Sequence, residues 1–136
     1  MSEAPRSDMP PPPSPVLIVI SDLLFRSKID DAARRAGVPL RVAKNLEQLD
    51  RHLGNAVPAV VLMDLEMEGL DSAGMLTRLR ANPGTTNVPV IGFAGHTNVE
   101  VIHAARANGV QVMARSAFVA QLPAMMERIA AHARAE

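Results

Sequence analysis

Two aspartates stand directly beyond apolar runs that are typical of buried strands. The run "VLIVI" leads through Ser21 to Asp22, and the run "VVLM" leads to Asp64. An acid at the end of a strand can be a reactive group, a cation ligand, or only a cap for the turn or helix that follows. If the two carboxylates lie close together they repel each other, and a bound cation would stabilise them. Ligation by oxygen alone favours Mg²⁺ over Zn²⁺.

The elements that must position these acids alternate regularly along the chain. Five apolar runs predict strands at Val16–Ile20, Pro39–Ala43, Ala59–Met63, Val88–Phe93 and Val110–Ala114. Segments with helical periodicity lie between these runs and after the last one. This alternation predicts a doubly wound (βα)5 three-layer sandwich with a parallel five-stranded sheet. In the strand order 2-1-3-4-5 the first and third strands are neighbours, so Asp22 and Asp64 would share the crevice where the strand order reverses.

Local signals predict where several helices begin and end. Gly37 suits the position just after the first helix, and Asn45 is a typical N-cap of the second. A helix is predicted over Ser72–Ala81, and Thr97 with Glu100 has the spacing of a capping box for the fourth. Pro123 is expected to be tolerated only in the first turn of the last helix, whose buried stripe is Leu122, Met125, Met126 and Ile129.

Composition narrows the functional classes. The 136 residues fit one domain, and 14 basic residues balance 14 acidic ones, which disfavours nucleic-acid binding. The chain has no Cys and no apolar run of the ~18 residues that a membrane span requires, so we expect a cytoplasmic protein with no membrane partner. The Pro-rich residues 1–14 are predicted to form a disordered tail before a domain at 15–136.

The segment "PAVVLMDLEMEGLDS", Pro58–Ser72, resembles the phospho-accepting segment of response-regulator receiver domains in two-component signalling. The runs "VLIVISD", "VPVIGFAGHT" and "NGVQVMARSAF" resemble the ends of the first, fourth and fifth strands of that family, so that the likeness covers Val16 to Ala133. It implies a flavodoxin-like fold in which Asp64 is the phospho-acceptor and Gly69 the loop glycine. It also implies Mg²⁺ held at the positions of Ser21, Asp22, Asp64 and the backbone carbonyl of Glu66.

This sequence departs from the family pattern where the phosphoryl group would bind. Ser21 replaces one acid of the metal-binding pair, Ala94 the hydroxyl residue, and Ser116 the lysine. Met113 stands where the family has an aromatic switch residue, and Ala117 stands where the family usually has a proline. Arg115 is adjacent to the lysine position, but it is expected to face away because consecutive strand residues point in opposite directions. Any Mg²⁺ site formed by Asp22, Asp64 and Glu66 is therefore expected to be weak.

The first hypothesis is an atypical single-domain receiver, a pseudo-receiver, that acts as a protein-protein interaction module without conventional phosphorylation. The alternative is a Mg²⁺-dependent phospho-acceptor in a phosphorelay that uses Asp64. A small enzyme or nucleotide binder is the third hypothesis, although no Gly-rich phosphate loop follows the first strand, and we expect no enzymatic activity. The expected partner is a histidine kinase or another signalling protein, bound by a monomer or weak homodimer. The predicted partner face contains Arg106, Gln111, Met113 and Arg115, and His96 is expected in a solvated loop.

Overall fold

The computed structural model describes residues 16–55, 57–67, 71–95 and 97–135. The predicted Pro-rich tail, Gly69 and His96 lie outside these residues. Within these described residues, five strands and five helices alternate: β1 (Val16–Val19), α1 (Leu23–Ala36), β2 (Leu40–Ala43), α2 (Leu46–Asn55), β3 (Val60–Asp64), α3 (Ser72–Ala81), β4 (Val90–Ala94), α4 (Val99–Ala107), β5 (Gln111–Ala114) and α5 (Arg115–Ala135).

The sheet confirms the predicted architecture. Its five strands run parallel in the order β2-β1-β3-β4-β5. Strand β1 lies beside β3 with Val19 opposite Met63, so both strands end at the same edge of the sheet. The switch point of this flavodoxin-like sheet therefore lies between the segments that carry Asp22 and Asp64.

Alternate residues of the central strands pack into two separate hydrophobic cores, one on each face of the sheet. Val16, Ile18 and Leu62 pack on one face with helices α1 and α5, while Leu17, Val61 and Met63 pack on the other with α2, α3 and α4. Burial on both faces explains why these strands are continuous apolar runs rather than alternating ones. The result is the predicted three-layer sandwich.

Several predicted helix ends are confirmed. Gly37 follows α1 with a φ of 74°, a left-handed conformation that suits glycine. The side chain of Asn45 accepts a hydrogen bond from the backbone N–H of Gln48 at 2.8 Å, which caps α2. Helix α3 has the predicted bounds, and Asp71 caps it by accepting from the N–H of Gly74 at 3.1 Å.

The strand bounds differ from the predictions by one or two residues, for local reasons. Strand β4 begins at Val90 and ends at Ala94. The N–H of Val88 is used in the preceding turn, where it donates to the carbonyl of Thr85, and Pro89 has no N–H to donate. Strand β5 begins at Gln111 because the N–H of Val110 closes the end of α4 by donating to Ala105.

Two helix predictions were wrong. The N-cap of α4 is Asn98, whose side chain does not cap the helix, so Thr97 and Glu100 do not form the expected capping box. Helix α5 begins at Arg115, directly after β5, and Pro123 consequently lies inside it rather than in its first turn. Among the helices in the described part of the chain, none combines the length and apolar character that a bilayer crossing requires.

Candidate functional site

Asp64 is the last residue of β3 and is only 5% exposed. Its Oδ1 accepts a hydrogen bond from the backbone N–H of Glu66 at 2.9 Å and another from the guanidinium of Arg115 at 2.9 Å. Burial raises the pKa of the Asp64 carboxyl above its ordinary value, whereas the hydrogen bond from Glu66 and the charge of Arg115 act in the opposite direction. The carboxylate is therefore a desolvated group with its own cationic partner.

Arg115 supplies that partner, and the expectation that it faces away from the crevice was wrong. The face-alternation rule holds only within a strand, and Arg115 is the first residue of α5. One nitrogen of its guanidinium lies 2.9 Å from Oδ1 of Asp64 and 3.3 Å from Oε1 of Glu66. A cation thus lies within reach of the acid although Ser116 replaces the family's lysine.

The three phenylalanines of the chain form one cluster beneath Arg115. The ring of Phe93 lies 4.6 Å from that of Phe25 and 4.5 Å from that of Phe118, measured between centroids. The guanidinium carbon of Arg115 is 5.4 Å from the Phe93 centroid and 5.7 Å from the Phe25 centroid. The rings attract the cation and restrict where its long side chain can lie.

Glu66 takes part through its side chain, which the sequence did not reveal. Its Oε1 accepts from the backbone N–H of Gly95 at 2.7 Å, and its Oε2 accepts from the side-chain amide of Asn98 at 3.0 Å. The hydrogen bond from Gly95 is the main reason why the pKa of Glu66 lies below its ordinary value, with Asn98 and Arg115 adding to it. Only the backbone carbonyl of Glu66 had been predicted to matter, and no motif pointed to Asn98.

Asp22 stands apart from this network. It is exposed, and its Oδ1 accepts from the backbone N–H groups of Leu24 at 2.9 Å and Phe25 at 3.1 Å, which caps α1. The capping interpretation that competed with the metal interpretation at this position therefore describes the observed contacts.

The residues present are a poor fit for the Mg²⁺ that the family resemblance implies. The Asp64 carboxylate is already paired with the guanidinium of Arg115, Asp22 serves as a helix cap, and exposed Ser21 brings no charge. Among the described residues, no three His, Cys, Asp or Glu side chains are grouped as metal ligands. A dication placed at the Asp64 carboxylate would lie beside the Arg115 guanidinium, and the two positive charges would repel each other.

The positions that depart from the family pattern are distributed around the same edge. Ala94 ends β4 and is buried, Met113 lies in β5 at 9% exposure, and Ser116 is exposed in the first turn of α5. Of the predicted partner face, Arg106 and Gln111 are exposed. Met113 packs inside the core that contains Phe93 and Phe118, so little of its side chain is exposed for the predicted contact with a partner.

Sequence comparison identifies the family. The model of the response regulator receiver domain matches residues 16–125. None of the curated protein sequences compared with the chain matches it.

Solved structures share the fold. A putative response regulator from Chloroflexus aurantiacus is 21% identical with a TM-score of 0.74, covering 88% of this chain and 99% of that one. The receiver domain of sensor histidine kinase PA1611 from Pseudomonas aeruginosa, which has a magnesium ion in its active-site cleft, is 18% identical with a TM-score of 0.73 over 88% and 99%. The phosphorylated cyanobacterial phytochrome response regulator RcpA is 19% identical with a TM-score of 0.68 over 87% and 91%.

The similarity to these solved structures shows the fold, and the match to the family model shows membership of the family. That model matches more than half of the chain and spans every strand of the sheet. The chain therefore belongs to the response regulator receiver domain family of two-component signalling.

Proposed function

We propose that this protein is a receiver-type interaction module whose conformation does not depend on phosphorylation of Asp64. The observation that carries the proposal is the ion pair between the buried Asp64 carboxylate and the Arg115 guanidinium, at 2.9 Å. Receiver domains interact with histidine kinases and other signalling proteins, and we propose a partner of that kind here.

Two features of the site oppose phosphoryl transfer. A carboxylate that attacks a phosphate dianion needs cations that offset the repulsion between the two anions. Among the described residues, the Arg115 guanidinium is the cation paired with Asp64, and it already stabilises the unmodified acid. The hydroxyl and lysine that would receive the new charge are replaced by Ala94 and Ser116.

The partner surface is proposed to include the outer sides of α4 and β5. Arg106 and Gln111 are exposed there and remain the candidates for direct contact. Arg115 acts instead from within, because it joins the start of α5 to the end of β3. We propose a signalling role without catalysis, carried out by a monomer or a weak homodimer.

The direct test exposes the full chain to acetyl phosphate with Mg²⁺ and measures its intact mass, with Asp64→Asn as the control. We expect no phosphoryl adduct on either protein. Beryllofluoride with Mg²⁺ should likewise leave the amide NMR signals of Asp64, Ala94 and Ser116 unmoved. An adduct on the wild-type chain that Asp64→Asn abolishes would overturn the proposal.

One observation favours the alternative, in which Asp64 accepts a phosphoryl group. Arg115 is 36% exposed at its side chain, so it has room to turn from the carboxylate toward a phosphoryl group attached to it. In that case Arg115→Lys should still be modified by acetyl phosphate, and Arg115→Met should be modified more slowly. If phosphorylation is instead blocked by the ion pair, Arg115→Met should be modified faster than the wild type.

A further inference from the structure

Three hydrogen-bond donors from different parts of the chain converge on the carboxylate of Glu66. The backbone N–H of Gly95 is 2.7 Å from Oε1, the Asn98 amide is 3.0 Å from Oε2, and the Arg115 guanidinium is 3.3 Å from Oε1. Gly95 follows β4, Asn98 precedes α4, and Arg115 begins α5. One anion therefore joins the loop after β3 to the loop after β4 and to the start of α5.

These donors form a partly buried site. The Glu66 side chain is 24% exposed, and Arg115 is held over the rings of Phe25 and Phe93. Asn98 occupies the N-cap position of α4, but its side chain bonds to Glu66 rather than to the helix. Asn98 thus forgoes the usual capping bond, and both Gly95 and Asn98 direct a donor to the same carboxylate.

We infer that Gly95, Asn98 and Arg115 form a binding site for a small oxyanion, and that the chain fills this site with its own Glu66 carboxylate. The site suits a group with two or more oxygens that accept from an amide, a backbone N–H and a guanidinium, such as a carboxylate or a phosphate. This inference rests on the proposed function, since a chain that holds an internal anion needs no external one to order the same loop.

The consequence concerns the start of α4. In the observed structure Glu66 fixes Gly95 and Asn98, which are the residues that lead into the helix. Glu66, which lies after β3, then determines the conformation of the side of the molecule that carries Arg106 and Gln111. Changing residue 66 should alter that side even when Asp64 is left intact.

The test empties the site and offers it inorganic phosphate. Glu66→Ala is titrated with phosphate in the absence of Mg²⁺, and the amide signal of Gly95 and the side-chain signal of Asn98 are followed by NMR. The variant frees the donors that hold Glu66 and removes a negative charge, so we expect it to bind phosphate at least about tenfold more tightly than the wild type. The double variant Glu66→Ala with Arg115→Met should lose that gain.

A matched control separates the site from a general change in charge. Glu100→Ala removes one negative charge from the exposed first turn of α4 and should not bind phosphate more tightly than the wild type. Three results would overturn the inference: no gain in Glu66→Ala, an equal gain in Glu100→Ala, or a gain that survives Arg115→Met. The last of these would indicate an adventitious ion only.

A second variant covers the case in which Glu66→Ala fails to fold. Glu66→Gln keeps the size of the side chain but removes its charge, and we expect the Gly95 amide to exchange its hydrogen at least about tenfold faster. An unchanged exchange rate would refute the inference. The outcome is independent of the acetyl phosphate test, because a chain modified at Asp64 could still hold its loop through Glu66, and an unmodified chain could fail to do so.

Discussion

Asp22 and Asp64 lie at the carboxyl ends of neighbouring parallel strands, yet the protein uses them differently. Asp22 is exposed and holds the first turn of α1 through two backbone N–H groups. Asp64 is buried and is paired with a side chain from the far end of the sequence. This difference shows that the role of a carboxylate at the end of a strand depends on the groups that the following segments place next to it.

The largest effect is expected from breaking the pair at Asp64. Arg115→Met leaves a buried carboxylate without its cation, and we expect the free energy of unfolding to fall by about 2–3 kcal/mol. This is below the ~3–5 kcal/mol of a fully buried pair because Arg115 is partly exposed. Urea denaturation would measure it, with Arg106→Met as the control at an exposed arginine.

A double variant shows whether the charge is responsible for that loss. Adding Asp64→Asn to Arg115→Met should restore part of the stability, since the acid no longer needs a cation. If the two changes are simply additive, the pair does not determine the state of Asp64, and the contrast with Asp22 loses its basis.

Gly92 supports the buried site from the neighbouring strand. A Cβ at this position would lie 2.8 Å from Cγ of Leu65, the residue that follows Asp64. Gly92→Ala should therefore cost about 1–3 kcal/mol in unfolding free energy and shift the Asp64 amide in NMR spectra. Gly95→Ala is the matched control, because its Cβ would meet the Glu66 carboxylate at an ordinary 3.6 Å. Equal losses in both variants would argue against this packing explanation.

The exposed acid should respond more weakly and only locally. Asp22→Ala removes two hydrogen bonds from the start of α1 and should cost about 1 kcal/mol, while Asp22→Asn should be nearly neutral because it can still cap the helix. Thermal unfolding would rank the variants. Stabilisation of the wild type by Mg²⁺ that Asp22→Asn abolishes would restore the metal interpretation of this residue.

The smallest effect is a pH dependence of the unfolding free energy, which has opposite signs for Glu66 and Asp64. The pKa of Glu66 lies below its ordinary 4.5, so its contribution to stability is complete above that pH and is lost as the pH falls through the lowered pKa. The pKa of Asp64 lies above its ordinary 3.8, so its contribution is complete below that pH and is lost as the pH rises through the raised value. Unfolding free energies measured from roughly pH 3 to 6 check this prediction. Glu66→Gln should remove the loss of stability that occurs as the pH falls, and Asp64→Asn should remove the loss that occurs as the pH rises.

Much of the fold followed from the sequence because its signals are local. The apolar runs, Gly37 and Asn45 each act through their own neighbourhood, and alternation of strands and helices leaves few topologies. The placement of Asp64 at the end of β3 followed from the same patterns.

The side-chain network of the site did not follow, because it depends on where elements begin. Arg115 was expected to obey strand alternation, but α5 begins at that residue and redirects its side chain. Asn98 was passed over in favour of Thr97, since a capping pattern gives no sign that the cap residue has a partner elsewhere. Contacts between residues as distant as 66 and 98 leave no periodic trace in a single sequence.

The cluster of phenylalanines beneath Arg115 has a practical consequence for spectroscopy. The chain contains three phenylalanines and neither tryptophan nor tyrosine, and all three rings pack against one another. Near-ultraviolet circular dichroism of this protein therefore arises from aromatic groups in one place, directly under the Asp64–Arg115 pair. The molecule has a built-in optical probe of its own site, and a partner that moves Arg115 should change that signal without any label.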